Sequence, residues 1–127
     1  MSAQQVTRLK DPADFRIATR NGVRIRRSTM VVYVLPVEGG TRVGFVVSKA
    51  VGNAVVRNRV KRRLREAIRT RVIVPDAATP SLIVVRALPA AARSTFDELA
   101  KDLQAGVTGC AMRIRRTSGK MTAKGTL

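Results

Sequence analysis

The chain contains no histidine and no tryptophan, a single cysteine, and only 8 acidic side chains among 127 residues. Each shortage removes a class of chemistry. Without an imidazole there is no ordinary general base near neutral pH and no His-containing metal set, and one thiol cannot build a Cys-rich zinc site. Nucleophilic triads that need a His partner are excluded on the same ground. Cys110 lies in an apolar stretch with helical spacing, which predicts a buried structural thiol, and a lone thiol fits the reducing cytoplasm expected for this chain. Long apolar runs are missing as well. Residues 29–37 and 82–85 are the main ones, far short of the ~20 residues a membrane helix requires, and residues 1–10 are polar with no export-type apolar core. No membrane and no small-molecule cofactor are expected as partners.

What the chain has in excess is positive charge: 25 Lys and Arg leave a formal +17. A compact state with that charge repels itself unless a polyanion neutralises it, and nucleic-acid phosphate is the commonest one; anionic lipid headgroups are the weaker alternative. At 45% apolar residues the chain can bury one modest core, so a single domain is expected over residues 1–112. From Arg113 onward Arg115, Arg116, Lys120 and Lys124 stand among few apolar residues, and a disordered basic tail over 113–127 is predicted.

Periodicity supplies the elements. Asp11 before Pro12 predicts a helix start, and Asn21-Gly22 a turn. Residues 23–26 and 29–37 read as strands, the second rich in β-branched residues and stopped by Pro36 and Gly39-Gly40. Residues 41–48 follow after so short a connection that an antiparallel hairpin with 29–37 is expected. Residues 54–73 carry Val56, Val60, Leu64, Ala67 and Ile68 at helical spacing. After a polar loop over residues 76–80, residues 81–87 form a nearly continuous apolar run suited to the interior of a sheet. Ser94 with Asp97 reads as a variant capping box ahead of a second helix bearing Phe96, Leu99, Leu103 and Val107. The sum is a mixed α/β (α+β) two-layer sandwich, with about four strands and a β-α-β crossover that carries the helix at 54–73.

That helix holds Arg57, Arg59, Lys61, Arg62, Arg63, Arg65, Arg69 and Arg71 against the single acid Glu66. Like charges at i, i+4 cost a few tenths of a kcal/mol per pair, so selection for stability alone would not produce it. An ordinary solvated face mixes both signs. On a helical wheel Asn58, Lys61, Arg62, Arg65 and Arg69 fall opposite the apolar stripe, with Arg57 and Arg59 on its flanks. A DNA major-groove reader usually follows a partner helix through a tight turn; here strands flank the basic helix, which favours RNA. Arg outnumbers Lys by 19 to 6, and guanidinium forks suit phosphates and unstacked bases.

Residues 48–67, with Arg57-Asn58-Arg59 followed by Lys61-Arg62 and Arg65, closely resemble the protein subunit of bacterial ribonuclease P. Similarity also covers Asp14-Phe15, residues 33–36, 44–48 and 82–87. The resemblance implies a ribosomal-protein-like α/β sandwich and a subunit that binds a large catalytic RNA and assists removal of the 5′ leader from precursor tRNA. It implies that the RNA and its Mg²⁺ ions do the cutting, with no catalytic residue supplied by the protein. Carried over residue by residue, it assigns Arg57, Asn58, Arg59, Lys61, Arg62 and Arg65 to the catalytic RNA. It assigns Phe15, Tyr33, Val46, Ser48 and Lys49 to a leader cleft between the sheet and the motif helix. Two positions depart from the family pattern: Thr19 stands where a second aromatic is frequent, and Ala50 where a second Lys is. The alternatives are a structural RNA-binding protein of ribosomal type, and an independent protein nuclease, which the residue inventory disfavours.

Overall fold

A computed structural model describes residues 6–74 and 80–125, with side chains of the last helix through Arg116. The elements run β1 (Val6–Arg8), α1 (Pro12–Asn21), β2 (Val23–Arg26), β3 (Met30–Pro36), β4 (Thr41–Val46), α2 (Ala54–Thr70), β5 (Ser81–Ala87), a 3-10 turn (Pro89–Arg93) and α3 (Phe96–Gly125). Each start has a local cause. The Asp11 carboxylate accepts from the Ala13 amide and the Asn53 side chain from the Val56 amide, filling two of the donors that a helix N-terminus leaves open.

The five strands form one mixed sheet in the order β1-β4-β5-β3-β2. The expected hairpin between residues 29–37 and 41–48 is absent: β5 lies between β3 and β4, antiparallel to the first and parallel to the second. The reason is burial. Leu82, Ile83, Val84 and Val85 are all buried, and a strand apolar on both faces gains most at the centre. The antiparallel partner of β3 on its other side is β2. The parallel β4-α2-β5 unit is the crossover expected from the sequence. The fifth strand, β1, pairs in parallel with β4 at the edge and lies in a segment read from the sequence only as polar.

Strand alternation divides the core. Met30, Val32, Val34, Val43, Ile83 and Val85 share a cluster with the α2 stripe and α3, whereas Val31, Tyr33, Leu82 and Val84 pack with Ala18 and Phe15 of α1 on the opposite face. Val60, Leu64 and Ala67 are buried as the spacing predicts, with Val56 and Ile68 half-buried beside them. Gly106 lets α3 lie flush on β3, since a Cβ there would overlap Val32. Asp102 ties the same helix to the sheet, accepting from the Thr29 amide and hydroxyl at 3.1 and 2.7 Å and from Arg27 at 3.4 Å.

Two further expectations are corrected. The capping box is shifted by one residue: the Thr95 hydroxyl accepts from the Glu98 amide at 3.1 Å and Glu98 accepts from the Thr95 amide at 2.8 Å, while the Ser94 hydroxyl donates to Ala90 O. Glu reaches back over the turn where the shorter Asp97 does not. The boundary expected at residue 113 falls inside α3, and Arg113 donates to Arg24 O at 3.1 Å. No proline interrupts this segment, Ile114 packs against the core, and Arg, Met, Lys and Ala are good helix formers. Residues 1–5 and 75–79, which include most of the predicted polar loop, lie outside the described residues, as do the side chains of Lys120 and Lys124.

Candidate nucleic-acid interface

The apolar stripe of α2 fixes which of its cations face outward, because rotating the helix would expose Val60 and Leu64. Asn58, Arg62, Arg65 and Arg69 are exposed, and Arg57, Arg59, Lys61 and Arg63 are half-buried. Their head groups divide into two sets.

The first set is used within the chain. Arg59 donates to Ala92 O and Arg63 to Ser94 O, each at 2.9 Å, so both guanidinium groups satisfy carbonyls at the end of the 3-10 turn. The Nε of Arg59 is buried without a partner. Arg57 Nε donates to Gly52 O at 3.2 Å. Arg71 pairs with Asp97 at 2.6 Å and lies over the Phe96 ring, 5.5 Å from its centroid. Hydrogen bonds from Arg71 and then Lys101 hold the Asp97 carboxyl below the ordinary carboxylate range. Arg69 is held by both oxygens of Glu66 at 2.8 Å, which raises its pKa further.

The second set, Lys61, Arg62 and Arg65 together with Asn58, has no hydrogen-bond or ion-pair partner among the described residues. Of the six positions assigned to RNA from the sequence, Arg57 and Arg59 therefore have their donors partly engaged internally. Asn58, Lys61, Arg62 and Arg65 have theirs uncommitted among the described residues. Sequence spacing alone did not separate the two sets, because the separation depends on where the 3-10 turn places its carbonyls.

Lys61 and Arg65 also border a groove of about 510 Å³ between α2 and the β1-β4 edge, with Arg8, Phe45, Ile68 and Arg69 among its lining. Arg8 was missed in the sequence because a three-residue edge strand leaves too short a pattern to recognise.

Of the positions expected in a leader cleft, Phe15 lines this groove and the other four lie elsewhere. Tyr33 and Val46 belong to the α1 face of the sheet, opposite the face on which α2 packs, whereas Phe15 packs with them and also lines the groove that Lys61 and Arg65 border. Tyr33 is only 6% exposed and serves as core. Phe15 is half-buried, and its ring lies on Gly44, where a Cβ would overlap it. Val46 is half-buried, and Ser48 and Lys49 are exposed in the turn that follows β4; the Ser48 hydroxyl accepts from the Ala50 amide. The register adds two residues that sequence reasoning passed over. Arg26 pairs with Val31, Val31 with Arg86, and Arg86 with Val46, so two exposed arginines flank this row on the α1 face.

Cys110 is buried, its thiol donating to Val32 O at 3.4 Å, and burial pushes its pKa up to about 11. It is a core residue, as expected. Among the described residues no three His, Cys, Asp or Glu side chains converge on a metal-sized site. None of the described helices is long and apolar enough to cross a membrane.

The chain is similar to known proteins in both sequence and fold. Residues 3–110 match the profile of the family described as Ribonuclease P. The chain is 44% identical over 121 residues to the ribonuclease P protein component of Pseudarthrobacter chlorophenolicus, covering 94% of this chain and 88% of that protein. It is 54% identical over 102 residues to the component from a Nocardioides species, covering 76% and 85%. Among solved structures, the RNase P protein of Staphylococcus aureus superposes with a TM-score of 0.67 at 30% identity, over 80% of this chain and 92% of that one. The Thermotoga maritima RNase P protein gives 0.64 at 25% identity, over 76% and 90%.

Proposed function

The chain belongs to the family of the ribonuclease P protein component, and from that premise we propose a division of labour in which it binds and positions RNA while the RNA performs the hydrolysis. As a subunit of ribonuclease P it acts in tRNA processing, with the ribonuclease P RNA and precursor tRNA as its partners. The ribosomal alternative is not favoured. The observation that carries the proposed division is the unpartnered cationic side of α2. Asn58, Lys61, Arg62 and Arg65 lie on a rigid helix, and each phosphate they neutralise releases counterions and adds salt-dependent affinity.

The acidic side chains support the same reading. Asp14 is paired with Arg42, Glu66 with Arg69, Asp97 with Arg71 and Lys101, and Asp102 with Arg27 and Thr29, while Asp11 and Glu98 cap helices. These carboxylates hold the fold together, and their placement does not suit a metal centre. Mg²⁺ is accordingly assigned to the RNA side of the complex.

For the 5′ leader, the α1 face offers the better site. The row Arg26, Val31, Arg86 and Val46, continued by Ser48 and Lys49, combines cations with a flat apolar strip, which suits a single strand of varied sequence. Phe15 stands beside it on α1, and Tyr33 supports it from within the core.

Cleavage of a precursor tRNA by the matching catalytic RNA at low Mg²⁺, with and without the protein, tests the whole reading. Stimulation by the protein is expected. Cutting by the protein alone, or no stimulation, overturns it. Arg86→Ala should weaken binding of the precursor more than binding of mature tRNA, and an equal loss for both removes Arg86 from the leader path.

A further inference from the structure

The sheet has two edges, and β2 forms the one opposite β1. The Arg27 amide donates to Met30 O across the turn between β2 and β3. Alternation then makes Ile25 with Val32 and Val23 with Val34 the bonded pairs, and turns the backbone groups of Arg24 and Arg26 outward. An open edge of this kind invites a further strand. Here a side chain occupies it: Arg113 of α3 donates to Arg24 O at 3.1 Å, taking an acceptor that an added strand needs. Packing holds the helix in place, since Val23, Ile25 and Ile114 lie against the main core and a Cβ at Gly109 would come within 3.2 Å of Ile25.

The cations at this edge come from both layers of the fold. Arg24, in register with Tyr33, belongs to the α1 face, while Arg113 and Arg116 follow one another along one side of α3. All three are exposed, and the side chains of Arg24 and Arg116 have no hydrogen-bond or ion-pair partner among the described residues. The same helical spacing recurs in the sequence at Lys120 and Lys124. The nearest acid on α3, Asp102, is held by Thr29 and Arg27. No aromatic ring is at hand either: Tyr33 is buried beneath α1, Phe15 lies on Gly44, Phe45 is on β4 and Phe96 lies under Arg71. Arg113 and Arg116 lie beyond the residues 3–110 that match the family profile, so the family match does not account for them.

We propose that the β2 edge and the adjoining part of α3 form a second RNA surface, which grips the backbone of a base-paired segment through Arg24, Arg113 and Arg116. Cations fixed on a strand and on a helix, with neither a ring nor an apolar floor between them, match a ligand that shows phosphates outward and keeps its bases stacked inside. A single strand gains no stacking here. A strand of a partner protein is opposed by Arg113 at the edge, and a lipid surface meets a single well-exposed apolar side chain, Met112, on this part of α3. The proposal rests on the RNA-binding reading above and adds to it a surface at the far edge of the sheet and a preference for paired RNA. With α2 beside one edge and this ridge at the other, one copy of the chain contacts two separate stretches of RNA.

The test uses the full chain and three probes of equal charge, a short RNA duplex, an oligouridylate and a polyglutamate, with backbone amide signals as the readout. The duplex should shift Arg24, Ile25, Arg113 and Arg116, and the other two probes should leave these signals nearly in place. No shift at these positions with the duplex would overturn the proposal. Equal shifts from the oligouridylate or the polyglutamate would overturn it too, by marking a general attraction for anions. In parallel, Arg24→Glu combined with Arg116→Glu should weaken duplex binding tenfold or more and oligouridylate binding no more than a few-fold. Equal losses for the two ligands would overturn the assignment. Both substituted side chains are exposed, and Arg113 keeps its bond to the strand, so the thermal midpoint should stay at the wild-type value. The wild-type shifts decide the matter even if it falls. If the chain stimulates precursor cleavage while the duplex leaves the β2 edge unmoved, this proposal alone fails. If the duplex shifts the edge but the chain does not stimulate, the surface stands and the ribonuclease P reading fails.

Discussion

On the flank of α2 that faces the 3-10 turn, Arg59 and Arg63 give their donors to Ala92 O and Ser94 O. On the flank that faces β1, Lys61 and Arg65 give theirs to nothing among the described residues. The two flanks carry the same charge and differ in what the fold places beside them. Where a chain turn ends without its own donors, an arginine becomes a bracket between α2 and the segment leading into α3. Where only the short edge strand β1 lies alongside, the cation stays available. A basic helix is therefore not one functional surface, and a count of its positive residues overstates what an RNA can reach.

Several substitutions can break or sharpen this contrast. The double charge reversal Arg62→Glu with Arg65→Glu should reduce catalytic-RNA affinity by about 100-fold, while the unfolding free energy stays within ~0.5 kcal/mol of wild type. A large stability loss would show that the open side is structural after all. On the other flank, Arg63→Ala should cost about 1–3 kcal/mol in denaturant unfolding, because Ser94 O loses its donor in a half-buried position. Its RNA affinity should change by no more than a few-fold. Arg59→Ala should cost less than Arg63→Ala, since removing the side chain also removes its orphaned, buried Nε. The reverse order would mean that the Nε has a partner in solution.

Smaller effects follow. Arg62→Ala should make the salt dependence of RNA binding shallower by about one unit of slope, whereas Arg63→Ala should leave the slope unchanged. Asp97 offers a pH test of the structural flank. Its carboxyl is held below the ordinary value of ~3.9, so its contribution is present above that pH and is lost as the pH falls through the lowered value. The difference in thermal midpoint between wild type and Asp97→Asn should thus be positive at pH 6 and shrink below about pH 4. A constant difference would remove the Arg71 and Lys101 pairs as its cause.

The fold was legible in the sequence wherever one periodicity dominated. The α2 stripe of Val56, Val60, Leu64, Ala67 and Ile68 and the continuous apolar run at 81–87 led directly to their elements, and β2 and β5 have the bounds read from the residues. Pairing was less accessible. The short connection 37–40 suits a hairpin, yet β5 takes the place between β3 and β4, because strand order is decided by total burial across the sheet and not by loop length. The site shows the same limit. The motif singled out α2 as the element expected to face RNA, but distinguishing Arg59 from Arg65 required the carbonyls at the end of the 3-10 turn. Tyr33 looked like a stacking platform by resemblance, while alternation along β3 sends it into the core beneath α1. Arg26 and Arg86 gave no signal until the strands were placed side by side.

The lone acid on α2 has a consequence for the protein in isolation. Glu66 compensates only Arg69, so the remaining uncompensated cations push against one another whenever the RNA is away. At constant ionic strength a short polyphosphate should raise the melting temperature of the purified protein, because it binds the clustered cations of the folded state. In this sense the free subunit is a spring held partly compressed, and assembly with its polyanion lets it relax.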